Sequence, residues 1–133
     1  VVCVSATGPL YGPDYGPFAE PDAFAPYSNY GRSAISVAAP GGYWGTIWAA
    51  CAPTSLVIPE CRNASLITGS VGTSMAAPHV SGLAALIVQE LGHGHPGRVK
   101  ARLQGTADDL GAPGVDPYYG KGRINVARAL GLD

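Results

Sequence analysis

The stretch TGSVGTSMAAPHVSGLAALIVQEL, Thr68 to Leu91, limits what this chain can fold into more than any other segment. From Ser74 onward, small and branched apolar residues fall on every face of a 3.6-residue repeat. That pattern predicts a central helix buried all round, not an amphipathic helix lying on a surface. Pro78 stands near enough to the start to be tolerated, because the first turn has unpaired N–H groups in any case. Gly92 supplies the stop. Such a helix needs strands around it, and the rest of the sequence offers several short ones.

VVCVSAT, at the N-terminus, reads as a strand buried on both faces. AISVAAPGG reads as a second strand ending in a turn. TIWAAC and ASLITGS read as a third and fourth, a candidate hairpin around a loop bracketed by cysteines. Between the first two strands, GPLYGPDYGPFAEPDAFAP carries Gly or Pro at nearly every third residue and predicts an ordered surface loop. Downstream, Pro96 opens a shorter helix to about Gly105, with Val99 and Leu103 on its inner face. Asn125 caps a last helix, VARAL, closed by Gly131. Strands lead and helices follow, so the fold class is α/β.

Composition narrows the function. Eight basic and nine acidic side chains give a net charge of -1, which argues against a nucleic-acid or membrane-surface partner. The longest wholly apolar run, Leu83 to Val88, is far short of the roughly 18 residues of a membrane helix. The 19 glycines and 12 prolines among 133 residues exceed their usual combined share of about 12%. They are scattered among apolar segments and read as tight connections. Met75 is the only methionine, so the chain does not open at an ordinary translation start, and a buried first strand reads as a cut.

Cys51 and Cys61 bracket CAPTSLVIPEC. A bridge closing that loop contributes roughly 2 to 4 kcal/mol and implies an oxidising, extracellular setting. The alternative is two free thiols in an intracellular protein; no metal-type spacing competes, and the disulfide is the favoured reading. Cys3 reads as a small core residue. NAS at Asn63 fits a glycosylation acceptor.

Ser74 sits where a helix N-terminus places unpaired N–H groups and positive potential beside its hydroxyl. Gly72, Ala76 and Ala77 let a substrate backbone come close. Capping alone would account for a serine here, but not for the run around it. That run, GTSMAAPHVSG from Gly72 to Gly82, resembles the serine-nucleophile motif of the subtilisin-like serine peptidases. YSNYGRSAISVAAPGG resembles the family's stretch ending in Ala-Pro-Gly, and YYGKGRINVARAL resembles its closing segment. The α/β-hydrolase elbow, Gly-x-Ser-x-Gly, is rejected because Ala76 stands in place of its second glycine.

The resemblance implies that Ser74 is the nucleophile and its backbone N–H an oxyanion donor, with Thr73 in support. Met75 is then the neighbour whose oxidation impairs turnover, while Gly72, Pro78 and His79 are structural parts of the motif. Val71 departs from the Asn that many members carry there. In this family the acid and the histidine precede the serine, as does a side-chain oxyanion Asn. Residues 1–133 are therefore expected to be the C-terminal part of a single subtilisin-like catalytic domain, a mostly parallel sheet packed against a buried central helix. Alone, the chain is expected to be inactive or nearly so. Its expected partners are the N-terminal part of that domain and a peptide or protein substrate, and its expected location is outside the cell.

No histidine of the chain reads as the base. His79 lies roughly 140° around the helix from Ser74 and takes a packed or hydrogen-bonded role. His93 is roughly 28 Å along a straight helix, with His95 further still. HGH is a weak metal signal and reads as a solvated turn. Asp14 and Asp22 lack the family's acid context, and Asp108, Asp109 and Asp116 follow the serine. No cofactor is expected for the chemistry. Calcium is common in the family, but no carboxylate cluster identifies a metal site, and DDLGAPGVD reads as a polar turn. Two other readings stay open: a non-catalytic module keeping the motif as core architecture, and a fragment that self-associates through an unpaired edge.

Overall fold

The computed structural model describes residues 1–12, 16–56, 58–62 and 67–132. Asp14 and Asn63 lie outside them. Among the described residues, five strands and four helices follow in the order β1 (Val4–Gly12), β2 (Gly16–Phe24), β3 (Val37–Pro40), β4 (Ile47–Ala50), α1 (Pro59–Arg62), β5 (Ile67–Ser70), α2 (Thr73–Leu91), α3 (Pro96–Gly105) and α4 (Val126–Ala129). The sequence reading missed the one-turn α1 and the strand β2.

One sheet has the order β2-β1-β3, and β4 pairs with β5 in a second. β1 runs parallel to β3, with Val4 opposite Val37 and Thr7 opposite Pro40. The free side of β3 is taken by the C-terminal segment: Ala38 N–H donates to Gly122 and Ile124 N–H to Ala38, at 2.9 and 3.0 Å. The expected hairpin of the third and fourth strands is present, antiparallel from Ile47–Ser70 to Ala50–Ile67.

The Gly/Pro segment expected to be a loop is instead extended. β1 and β2 pair antiparallel, with shifts of register between Gly8 and Leu10 and again between Leu10 and Gly12. Irregular pairing explains the disguise. Proline has no N–H for a regular ladder, but it fits beside a bulge. Burial on both faces holds for Ser5 to Gly8, while Val1 is fully exposed. Cys3 is exposed as well, a correction to its expected place in the core. It lies before β1 begins, where the backbone is held by Ser36 and Val37.

α2 follows its expected limits and stops at Gly92, φ +80. Its burial is one-sided. Ala76, Val80, Leu83 and Ile87 form a stripe spaced at i, i+4, i+7 and i+11, packed on Ala6, Val37 and Ala39 and on Val99 and Leu103 of α3. Val80, Leu83 and Ile87 each contribute about 1.5 to 3 kcal/mol on leaving water. Leu86 on another face remains 45% exposed, because these residues place the sheet and α3 on two sides of the helix only. A groove of about 550 Å³ follows, lined by Val1, Val2, Val80, Ala84, Val88 and Val99 among others. α3 occupies the predicted span, and α4 starts at Asn125, whose Oδ1 accepts the Arg128 N–H at 2.9 Å.

Candidate active site

Three glycine-bearing segments meet where α2 begins. Beyond β3, the amides of Gly41 and Gly42 both donate to the Thr7 carbonyl of β1, at 2.8 and 3.1 Å. Gly72 N–H then donates to the Gly41 carbonyl at 2.8 Å. No side chain fits between these backbones. A Cβ on Gly41 would lie 2.6 Å from the Ala6 Cβ and 2.8 Å from the Gly72 oxygen, and one on Gly8 would lie 2.5 Å from the Gly42 carbonyl carbon. Gly42 also needs φ +80, a region that other residues rarely enter. Val71, the departure from Asn, packs its methyls toward Gly42.

Gly72 is the N-cap of α2, and no side chain caps the helix. The Gly72 carbonyl accepts from Met75 and Ala76 at 2.9 and 3.3 Å, so the amides of Thr73 and Ser74 are the outward donors of the first turn. The Ser74 side chain is exposed at the positive end of a 19-residue helix. Pro78 has no N–H to return to the Ser74 carbonyl. The geometry can place an exposed hydroxyl beside donors for a developing negative charge. Among the described residues, no base is in contact with that hydroxyl.

The histidines are elsewhere engaged. His79 is exposed, and its Nδ1 donates to the Met75 carbonyl at 2.8 Å, the hydrogen-bonded alternative of its expected role. His93 and His95 are exposed on the turn between α2 and α3. Among the described residues, no group of three or more His, Cys, Asp or Glu side chains comes together.

The carboxylates form a separate structure. Arg123 bridges Asp22 and Asp108 at 2.6 and 2.5 Å, and Arg128 reaches Asp108 at 3.1 Å. Burial raises the Asp108 carboxyl, but hydrogen bonds from Asn125 and Arg123 and the charges of Arg123 and Arg128 outweigh it, leaving its pKa below the ordinary value. Asp109 takes the Gly114 N–H at 2.8 Å. Buried Asp116 takes those of Tyr118 and Tyr119, both at 2.7 Å. DDLGAPGVD is thus a turn tied by its own carboxylates.

The β4–β5 hairpin flanks the start of α2. Ile47, Trp48 and Ala49 face Met75, Pro78 and His79 across a crevice of about 290 Å³, with Trp48 71% exposed. The Cys51–Cys61 disulfide is formed, its Cα atoms 5.4 Å apart. Arg62 stiffens the bridged loop by donating to the Ser55 and Leu56 carbonyls, each at 2.6 Å. Sequence reasoning missed Trp48 and also Tyr27, whose hydroxyl donates to the carbonyls of Gly41, at 2.9 Å, and of Gly42. That contact spans 14 residues, and no local pattern announces it.

Residues 1–122 match the sequence profile described as the Subtilase family. Thermitase of Thermoactinomyces vulgaris is 36% identical over 104 residues, 78% of this chain and 30% of that protein. An extracellular serine protease of Serratia marcescens is 44% identical over 59 residues, 44% of this chain and 6% of that protein. Among solved structures, fervidolysin of Fervidobacterium pennivorans, a keratinolytic enzyme related to subtilisin, superposes with TM-score 0.75 at 28% identity, covering 98% of this chain and 19% of that one. A lanthipeptide protease gives TM-score 0.71 at 30% identity, covering all of this chain and 42% of that one. The chain thus spans less than a third of the curated relatives it matches. With its α/β architecture and its run from Gly72 to Gly82 in the matched region, the chain belongs to the subtilase family.

Proposed function

We propose that Ser74 is the nucleophile of a serine endopeptidase and that these residues carry the nucleophile half of its catalytic domain. The observation that carries the reading is Ser74 itself, exposed in the first turn of α2 with its amide facing outward above the glycine junction. A base takes the Ser74 hydroxyl proton as Oγ attacks the carbonyl carbon of a peptide bond. The oxyanion that forms receives the Ser74 N–H, with Thr73 in support. Collapse expels the amine, which leaves with the proton from the base. Water then hydrolyses the ester and restores Ser74.

The base, its orienting acid and a side-chain oxyanion donor come from residues outside these 133, a reading supported by the family's order of acid, histidine and then serine. The chain alone is therefore inactive or nearly so. Its substrates are peptides or proteins, and the chemistry needs no cofactor. The Cys51–Cys61 bridge fits secretion, as does the extracellular relative.

Intact mass after treatment with a fluorophosphonate probe tests the reading. No adduct is expected on the 133-residue chain alone. One per molecule is expected once the upstream residues are joined, and none in Ser74→Ala, whose turnover falls about a million-fold. Failure to label the completed protein would favour a non-catalytic module that retains the motif. Labelling that survives Ser74→Ala would place the nucleophile elsewhere.

A further inference from the structure

We propose that the Tyr27 hydroxyl is a positioning group for Ser74, acting through Gly41 and Gly72. The inference rests on Ser74 as nucleophile. It starts from a weakness in the junction. Gly41 and Gly42 are consecutive glycines, so no Cβ restricts their peptide planes. Yet the Gly41 carbonyl must be aimed correctly, because it takes the N–H of Gly72 at 2.8 Å, and Gly72 is the N-cap from which the Ser74 turn is built.

Tyr27 supplies the restraint from outside. Its hydroxyl donates between the two carbonyls, 2.9 Å from Gly41 and also bonded to Gly42. The Gly41 oxygen thus receives both the Tyr27 hydroxyl and the Gly72 amide. The ring stands on a fixed base. Ser28, next along, is 5% exposed, and its Oγ accepts the Ala6 N–H at 3.0 Å. Its own N–H closes the turn on Ala25 at 2.8 Å, and Ala25 N–H donates back to Ala6 at 3.0 Å. The clamp is therefore tied to β1, the strand whose Thr7 carbonyl already holds Gly41 and Gly42. Partial burial pushes the Tyr27 phenol above its ordinary pKa, with the Gly72 amide opposing, so the donor proton is retained throughout the neutral range.

A Gly41 carbonyl held by two donors fixes the first turn of α2, and with it the Ser74 hydroxyl and the outward amide. Small errors in that geometry slow the chemical step more than they weaken binding. Tyr27 is therefore expected to act on kcat and not on KM.

The test uses the complete enzyme, in which these residues are joined to the upstream acid and base. Tyr27→Phe keeps the ring and removes the donor. The expected result is a fall in kcat of about tenfold with KM within about twofold, an equal fall in the fluorophosphonate labelling rate, and faster amide exchange at Gly72 but not at Val99 or Leu103. Unchanged kcat in an enzyme that Ser74→Ala silences overturns the clamp alone. A raised KM at unchanged kcat also overturns it, since Tyr27 would then contact substrate. Exchange that rises equally at Gly72, Val99 and Leu103 overturns it in favour of general loosening, even where kcat falls. An enzyme still active as Ser74→Ala overturns the nucleophile reading, and the clamp falls with it.

Discussion

The junction before α2 and the clasp around Arg123 both bring distant segments together, by opposite means. At the junction, Gly8, Gly41 and Gly42 let backbones touch, and amides bonded to carbonyls do the holding. At the clasp, Asp22, Asp108, Asn125 and Arg128 converge on or beside Arg123 through long side chains, each still 22 to 49% exposed where an ion pair is made. Close approach tolerates no added atom but ignores salt and acid. Charge pairing tolerates changes of size but answers to both. The molecule uses the first beside the proposed nucleophile and the second where a C-terminal segment is kept on the edge of β3.

Gly41→Ala breaks the comparison hardest. Its Cβ meets Ala6 and the Gly72 carbonyl, and a loss of about 3 kcal/mol is expected in urea unfolding. A loss under about 1 kcal/mol would show that the junction yields. Asp108→Asn removes the charge that Arg123 and Arg128 share, and about 1 kcal/mol is expected, in keeping with part-exposed pairs. Acid sharpens the same contrast. The folded-state pKa of Asp108 is lowered, so its stabilisation is complete above its unfolded value of about 3.9 and is lost as pH falls through the folded one. The urea midpoint should drop below about pH 4, and Asp108→Asn should remove part of that slope. Salt gives the smallest effect: 1 M NaCl should cost the clasp about 0.3 kcal/mol and leave the Gly72 amide exchange rate unchanged.

Local rules read most of the fold from the sequence. Pro96 and Gly105 delimited α3, Asn125 and Gly131 framed α4, and the cysteine spacing found its bridge. The stretch from Gly72 to Gly82 marked the start of α2. What escaped depends on partners remote in sequence. The extended pairing of β1 with β2 is written in backbone bonds that Gly and Pro disguise. The one-sided burial of α2 depends on how many neighbours these residues supply, which periodicity does not count. Trp48 lies in no motif and Tyr27 only heads one, and what each of them faces across the fold is not written in the sequence beside it. Cys3 misled because an apolar run was taken as strand from its first residue, whereas β1 begins at Val4.

The Cys51–Cys61 bridge has a topological consequence. It turns the tip of the β4–β5 hairpin into a covalent ring, closed through sulfur on one side and through peptide on the other. One hydrolysed bond inside that ring, anywhere from Ala52 to Glu60, opens it without separating anything: β4 and β5 stay on one molecule, heavier by a single water. In a setting where peptide bonds are being cut, the exposed tip can be nicked and still remain attached, and only a second cut in the ring, or a reductant, lets a piece go.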